Sequence, residues 1–467
     1  MNLEDIHRTY FIGIGGIGMS ALARWFHAKE KVVAGYDRIR SALTHALEEE
    51  GISIHYQDNP KLIPEEFLSS EGTIIVFTPA IPKDHLELNY FEEGGYTIKK
   101  RAEVLGLITE NHYTIAVAGT HGKTTTCSMI AHLLSGSERS CSAFVGGIMT
   151  ATNSNLIIGN DNAPVVVEAD EYDRSFMQLN PNYTVITSLA PDHLDIYGDV
   201  TGMLEAYEVF VKKTPEDGKL LIQSNAGYHI NPGNPYTSYA LSEGDVVADS
   251  LRIENGAFVF TYKYGVKRIS DIYLQVPGYH NVLNALAAIT VALDMGMEGK
   301  EVQKRIKSYV GVKRRFEYVF NSSEGTLIDD YAHHPEEIEA FLKSVRSLFE
   351  ERKITAIFQP HLYSRTNDFK KDFASALDKA DDIILLEIYP AREKPIEGVS
   401  SKSIYDLMEN KNKVMIDKRY LITELDNHKL DVVVTIGAGD IDREVPKVAE
   451  YMKNKFNLNH KTKNEDE

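Results

Sequence analysis

Twice in this sequence a short apolar run breaks into a glycine-rich loop and re-emerges as a helical pattern. Tyr10–Ile14 leads into Gly13, Gly15 and Gly18, a complete GxGxxG, followed by Met19, Leu22, Ala23 and Phe26 at helical spacing. Tyr113–Ala118 leads into Gly119-Thr120-His121-Gly122-Lys123-Thr124-Thr125, and the pattern predicts a helix over Thr124–Leu134 with Gly136 as its stop. A loop of this kind leaves the backbone N–H groups of a helix start unpaired and aimed outward, where they favour an anion. The unit belongs to parallel sheets covered by helices, so the expected fold class is α/β.

The rest of the chain extends this pattern. Lys31–Tyr36 and Thr73–Phe77 read as further strands of the first unit. Val165–Val167, Thr184–Thr187 and Leu220–Gln223 read as strands of the second. Short alternating segments between 228 and 276 suggest hairpins at one sheet edge, and a helix is expected over Asn281–Met295. A third α/β region begins near Lys313, with strands at Thr326–Asp329, Ile354–Phe358, Asp382–Leu386 and Val432–Ile436. The polar final dozen residues, from Phe456, read as a frayed end. At about 150 residues per domain, 467 residues suggest three.

Charge narrows the partners. With 50 Lys+Arg against 68 Asp+Glu the chain carries −18, which disfavours nucleic acid and anionic membrane surfaces. The two loops are therefore read as sites for small phosphorylated molecules. Two cysteines, Cys127 and Cys141, give no disulfide framework and suit a reducing compartment. The N-terminus lacks a basic stretch followed by a long apolar core, and no apolar run approaches a membrane span, so a cytoplasmic protein is expected.

The second loop carries the sharper chemistry. Lys123 is expected at the β- and γ-phosphates of a nucleotide and the Thr124 hydroxyl on Mg²⁺. Val117 stands where the strict Walker A spacing has its first glycine, and the glycine falls at Gly119. Glu168, first of the acids Glu168, Asp170, Glu171 and Asp173 after a buried strand, is the best candidate to complete Mg²⁺ coordination; the alternative is a solvated acidic loop. His193, in Asp192-His193-Leu194-Asp195, is a candidate ligand for a second metal ion, against a plain structural histidine. The first loop fits a diphosphate, and Asp37, ending the second strand, lies where a ribose-binding acid would, so an NAD-dependent oxidoreductase stays open.

Three later motifs add polar groups. His280, Asn281 and Asn284 open a helix and either read a purine edge or cap it. Arg314-Arg315 offers a guanidinium for developing phosphoryl charge. Asp329-Asp330-Tyr331-Ala332-His333-His334 and Gln359-Pro360-His361-Leu362-Tyr363-Ser364-Arg365 each follow a strand, at the end where open sheets bind ligands.

In order and spacing, FIGIGGIGMSALA, GTHGKTTT, EADEYDRSF, DHLDIYGD, HNVLNALAA, RRFE, DDYAHHP and FQPHLYSRT resemble the Mur ligases over essentially the whole chain. The resemblance implies three domains. Residues 1–108 form a Rossmann-like domain for a UDP-sugar, 109–311 a central P-loop domain for ATP, and 312–467 a C-terminal Rossmann-like domain for an amino acid. It implies an ATP-dependent ligase joining L-alanine to the carboxylate of UDP-N-acetylmuramate through an acyl phosphate, in peptidoglycan precursor synthesis. His121 and the intact GxGxxG point to the alanine-adding branch. The alternatives are a ligase adding a preformed peptide, the oxidoreductase, and a non-catalytic nucleotide switch.

The implied residues follow from the matching motifs. Gly15, Gly16, Ile17, Gly18, Met19, Ser20, Asp37, Thr78, Arg101 and His121 are expected at the UDP-sugar. Gly119 through Thr125, with His280, Asn281, Asn284, Arg315 and Asp330, are expected at ATP. Tyr331, His333, His361 and Arg365 are expected at the amino acid, Lys123, Glu168, His193 and Arg315 in catalysis, and Thr124, Glu168 and His193 at two Mg²⁺ ions. Leu362 departs from the arginine that relatives often carry there. Partners are expected to be these small molecules alone, with a monomer or homodimer.

Overall fold

A computed structural model describes residues 3–136, 140–192, 194–254, 256–391 and 393–465. Three sheets order the chain, giving an α/β protein of three domains. The first is wholly parallel, with strands in the spatial order Ser53–His55, Val32–Tyr36, Arg8–Ile12, Thr73–Phe77, Thr97–Lys100. The chain leaves Arg8–Ile12 one way and later returns to its other side, so the strand order reverses beside it. Such a reversal opens a crevice at the carboxyl ends of the strands, and Gly13 begins there.

The second sheet has ten strands. At its centre Thr114–Ala118 lies parallel between Tyr183–Ile186 and Val165–Glu168. All five residues of the central strand are buried, as a strand covered on both faces requires. The segments expected as edge hairpins form Thr237–Ala240, Val246–Glu254, Ala257–Tyr264 and Lys267–Leu274, each beside its predecessor. The pair Ser142–Met149 and Ser154–Ile157, antiparallel to each other, closes the opposite edge; no strand had been expected there. The third sheet runs Glu317–Asn321, Thr326–Asp330, Val432–Ile436, Ile354–Phe358, Asp382–Leu385, Lys413–Met415, antiparallel only at its first pair.

The chain condenses into two compact units. One comprises Met1–Ser250, Phe260–Tyr273 and Leu283–Tyr309, the other Leu251–Val259, Leu274–Val282 and Val310–Glu467. The first unit thus holds two sheets around one apolar core. Leu22, Trp25, Val104 and Ile108 of the first domain share a cluster with Phe144, Leu156, Val165 and Phe176 of the second. Burying each such side chain contributes roughly 1.5–3 kcal/mol. Gly106, in the helix Arg101–Glu110, shows how close the approach is, since a Cβ there would lie 2.6 Å from the backbone oxygen of Gln178. The last helix spans Val445–Glu465, so the expected fraying from Phe456 is corrected. No glycine or proline interrupts 446-onward beyond its second position, and the helical run continues. No helix among the described residues is long and apolar enough to cross a membrane.

Candidate active site

The first glycine loop is tied down by Asp37. Its Oδ2 accepts from Gly15 N at 2.8 Å and its Oδ1 from Ile39 N at 3.0 Å, so both oxygens organise backbone. Gly13 has φ of +86°, a conformation that suits glycine. A Cβ on Gly15 would strike Thr44 and Asp37 at 2.7 and 2.8 Å. Thr78 lies against Gly13, and the Arg101 guanidinium covers Gly18 while pairing with Asp170 at 3.2 Å. Asp37, Thr78 and Arg101 thus gather on the first glycine loop, whereas His121 lies in the second. Ile17 is exposed, but Met19 and Ser20 are buried, and the Ser20 hydroxyl donates inward to Ile17 O at 2.9 Å.

The second loop is braced by the end of the neighbouring strand. His121 N donates to Ser188 Oγ at 2.9 Å, and Thr187 Oγ1 donates to His121 O at 2.5 Å. A Cβ on Gly119 would meet Thr187 Oγ1 at 2.3 Å, and one on Gly122 would meet Asn284 Oδ1 at 2.6 Å. Both glycines also have positive φ, +128° and +86°. Close packing and backbone conformation together require glycine at both positions. Asn284 thus touches the phosphate loop and accepts from Thr126 Oγ1 at 3.2 Å. Asn281 donates instead to Pro277 O at 2.7 Å, one turn back within its own helix start.

Lys123, the first residue of the helix Lys123–Leu134, folds back on its loop. Its ammonium donates to Gly119 O at 2.5 Å and pairs with Glu171 at 2.8 Å, with the two side chains 15% and 2% exposed. Burial alone would lower the lysine pKa, but the charges of Glu171, Asp170 and Glu168 outweigh it and the value rises. Three carboxylates thus act on one ammonium. This surplus of hard oxygen, with the Thr124 hydroxyl, suits a divalent cation such as Mg²⁺. Glu168 Oε1 accepts from Gly146 N at 2.7 Å, and a Cβ on Gly146 would overlap that carboxylate. The Thr124 hydroxyl and the Glu168 carboxylate are oxygen donors of the type Mg²⁺ takes, while among the described residues no cluster of three His, Cys, Asp or Glu forms a metal site. His193 lies outside the described residues.

In the second unit the two strand-end motifs come together. His333 and His361 have ring centroids 6.1 Å apart, and Tyr331 lies 5.3 Å from His333. Burial pushes His333 and His280 down to about 4, so both rings are neutral near pH 7. Burial pushes Asp330 up to about 7, opposed by Arg315; its oxygens accept from Phe316 N and Ala332 N at 2.7 and 2.8 Å. Arg314 and Arg315 both stack on Tyr331, at 5.1 and 5.0 Å from the ring. Arg314 also pairs with Asp329 at 3.3 Å and donates to Gly437 O at 2.5 Å. Asp329 is thus held by Arg314. The charge of Arg365 is among those that keep His333 neutral. Leu362 has φ of +71°, a strained conformation for a leucine.

Sequence reasoning missed Ser188, which braces the loop through a bare hydroxyl. It also passed over Glu171 in favour of Glu168, although the acidic run contained both. The sequence reading named Arg315 at ATP and in catalysis and gave Arg314 no role of its own.

Comparison with known proteins agrees with this geometry. Residues 8–113 match the Mur ligase family catalytic domain, 117–292 the Mur ligase middle domain, and 314–439 the Mur ligase glutamate ligase domain. The chain is 47% identical over 451 residues to the UDP-N-acetylmuramate–L-alanine ligase of Cytophaga hutchinsonii, covering 95% of this chain and 96% of that one. A crystal structure of UDP-N-acetylmuramate-alanine ligase from Thermotoga maritima superposes with a TM-score of 0.81 at 29% identity, covering 96% and 99%. A murein peptide ligase from Psychrobacter arcticus shares the fold at 21% identity, with a TM-score of 0.69 over 96% and 99%. Three matches in order along one chain, each falling on its own sheet and its own cluster of polar residues, make this chain a member of the Mur ligase family.

Proposed function

We propose that this chain is an ATP-dependent ligase that joins L-alanine to the carboxylate of UDP-N-acetylmuramate, releasing ADP and phosphate in peptidoglycan precursor synthesis. The observation that carries this reading is the 47% identity, over nearly all of both chains, to an alanine-adding relative. The peptide-adding alternative rests on a likeness of fold alone, at 21% identity. Residues 1–108 are assigned to the UDP-sugar, 109–311 to ATP and 312–467 to the amino acid. The assigned place is the cytoplasm, where ATP is available.

A carboxylate and an ammonium do not condense in water, so the carboxylate is first converted to an acyl phosphate by ATP. Backbone N–H groups of Gly119–Thr125 cradle the phosphates, and Lys123 leaves Glu171 to meet the charge of the transferring phosphoryl group. Thr124 and Glu168 would hold Mg²⁺, with His193 for a second ion; bound there, Mg²⁺ would offset the charge of the phosphate oxygens. The Arg365 guanidinium, a planar fork, takes the alanine carboxylate. His333 and His361 border that place, and neutral His333 does not repel the alanine ammonium. The alanine ammonium gives up a proton to solvent, the free amine attacks the acyl carbon, and the tetrahedral intermediate expels phosphate.

The test is ADP release with UDP-N-acetylmuramate, ATP and single amino acids. Release should require all three and favour alanine. Release with a preformed peptide in place of alanine would instead select the peptide-adding reading.

A further inference from the structure

One side chain of the second domain reaches the first turn of the helix that follows the first glycine loop. Asn155, on the strand Ser154–Ile157, is fully buried. Its Nδ2 donates to Ile17 O at 2.5 Å and to Ser20 Oγ at 3.0 Å. Both acceptors lie in the opening turn of Ile17–Ala28. The carboxamide cannot be reversed, because Arg24 Nη1, a donor only, stands 2.5 Å from Oδ1. Arg24 is itself held on Glu50 by three hydrogen bonds of 2.7 to 3.0 Å. With Ser20 donating to Ile17 O, these groups form a closed polar network in which each bond orients the next.

We propose that Asn155 is a positioning residue for the nucleotide sugar. It fixes the first helical turn and thereby aims the backbone N–H groups of Ile17 and Gly18 at the diphosphate, those of Gly15 and Gly16 being held by Asp37 Oδ2 and Gly13 O. The proposal rests on the reading of that loop as the UDP-sugar site. A second tie between the same two domains provides the contrast. Lys29, at the far end of the same helix, pairs with Asp161 at 2.5 Å and touches nothing at the loop. If Asn155 were only a strut between domains, losing either tie would have the same consequence.

The experiment measures KM for UDP-N-acetylmuramate, ATP and alanine at pH 8, in the full-length enzyme. Asn155→Asp keeps an acceptor for Arg24 but sets a carboxylate oxygen against Ile17 O and Ser20 Oγ. Asn155→Ala removes the donor without adding charge and serves if the first variant does not fold. The expected result is a UDP-sugar KM raised about tenfold, the size of a lost hydrogen bond in a buried network, with the other two constants within about twofold. Lys29→Ala should leave all three within about twofold, as surface substitutions do. Gly16→Ala tests the loop itself, since a Cβ there meets nothing closer than 3.5 Å and φ is −67°. A raised UDP-sugar KM in Gly16→Ala without one in the Asn155 variants overturns the proposal and leaves the loop reading standing. No rise in any of them removes both. Equal rises in all three constants, or the same profile in Lys29→Ala, would mark Asn155 as a strut and overturn the proposal.

Discussion

Replacing Lys123 by methionine should do two separable things, because the lysine has one charged partner in prospect and one in hand. The prospective partner is the transferring phosphoryl group. Losing a positioned charge donor there should lower kcat by about 10²–10³. The partner in hand is Glu171, 2% exposed and paired at 2.8 Å. Removing one member of a buried ion pair costs about 3–5 kcal/mol, and the partial exposure of the lysine argues for the lower end, about 3 kcal/mol. Burial already raises the Glu171 pKa against the pull of Lys123. Without the lysine the shift grows, and the folded variant binds a proton that the unfolded chain releases at lower pH. The sign follows: the variant's stability is greatest below the unfolded pKa and falls as pH rises through the raised folded value. Urea unfolding should therefore show a larger deficit at pH 8 than at pH 5.5. Lys123→Met/Glu171→Gln should recover most of the stability and none of the turnover, measured by ADP release. A single variant as stable as the wild type at pH 8, or a double variant that regains activity, would refute the reasoning.

Glu168→Gln should raise the Mg²⁺ concentration giving half-maximal turnover by at least about tenfold, in the range known for disturbed metal shells; an unchanged Mg²⁺ titration removes it from the metal site. Arg365→Lys should raise the alanine KM by about tenfold or more with the UDP-sugar KM unaltered, since a point charge replaces a bidentate fork; an unchanged alanine KM with lower thermal stability would mark Arg365 as a structural residue. Asp330, pushed up to about 7 by burial, contributes stability at low pH that is lost as pH rises through 7. The loss is up to about 4 kcal/mol, and Asp330→Asn should abolish that slope. His280 and His333, lowered to about 4 by burial, titrate in the opposite sense below pH 6.5, so the readout is the difference between variant and wild type.

The parts of this fold that could be read in the sequence are those where a local pattern has a local cause. The strands Thr73–Phe77, Ile354–Phe358 and Val432–Ile436 are short runs of four apolar residues and one threonine, almost wholly buried, and the structure places them at the same residues. Both phosphate loops were legible because glycines mark where strand period gives way to helix period. Gly136, expected to stop its helix, has φ of +71° just past Leu134. Asn155 was not legible. It sits in the polar stretch Thr152-Asn153-Ser154-Asn155, and its partner Arg24 is 131 residues earlier. The strained Leu362 was noticed only as an unusual residue, since nothing local dictates a positive φ for leucine. The ties of Arg314 were not legible either, since Asp329 and Gly437 lie far along the chain.

The apolar core shared by the first two sheets bears on how the chain is made. The first domain leaves the ribosome before the residues that finish its interior. Trp25 packs 6.5 Å from Phe144 by ring centroids, and the helix Ile17–Ala28 lies against strands that end at Ile157. Until those strands emerge, the nascent first sheet shows an uncovered apolar face, the kind of surface that chaperones hold and that aggregates when left bare. A fragment ending after the first sheet should be poorly soluble, and the natural point of independent folding falls after the second sheet has closed over the first.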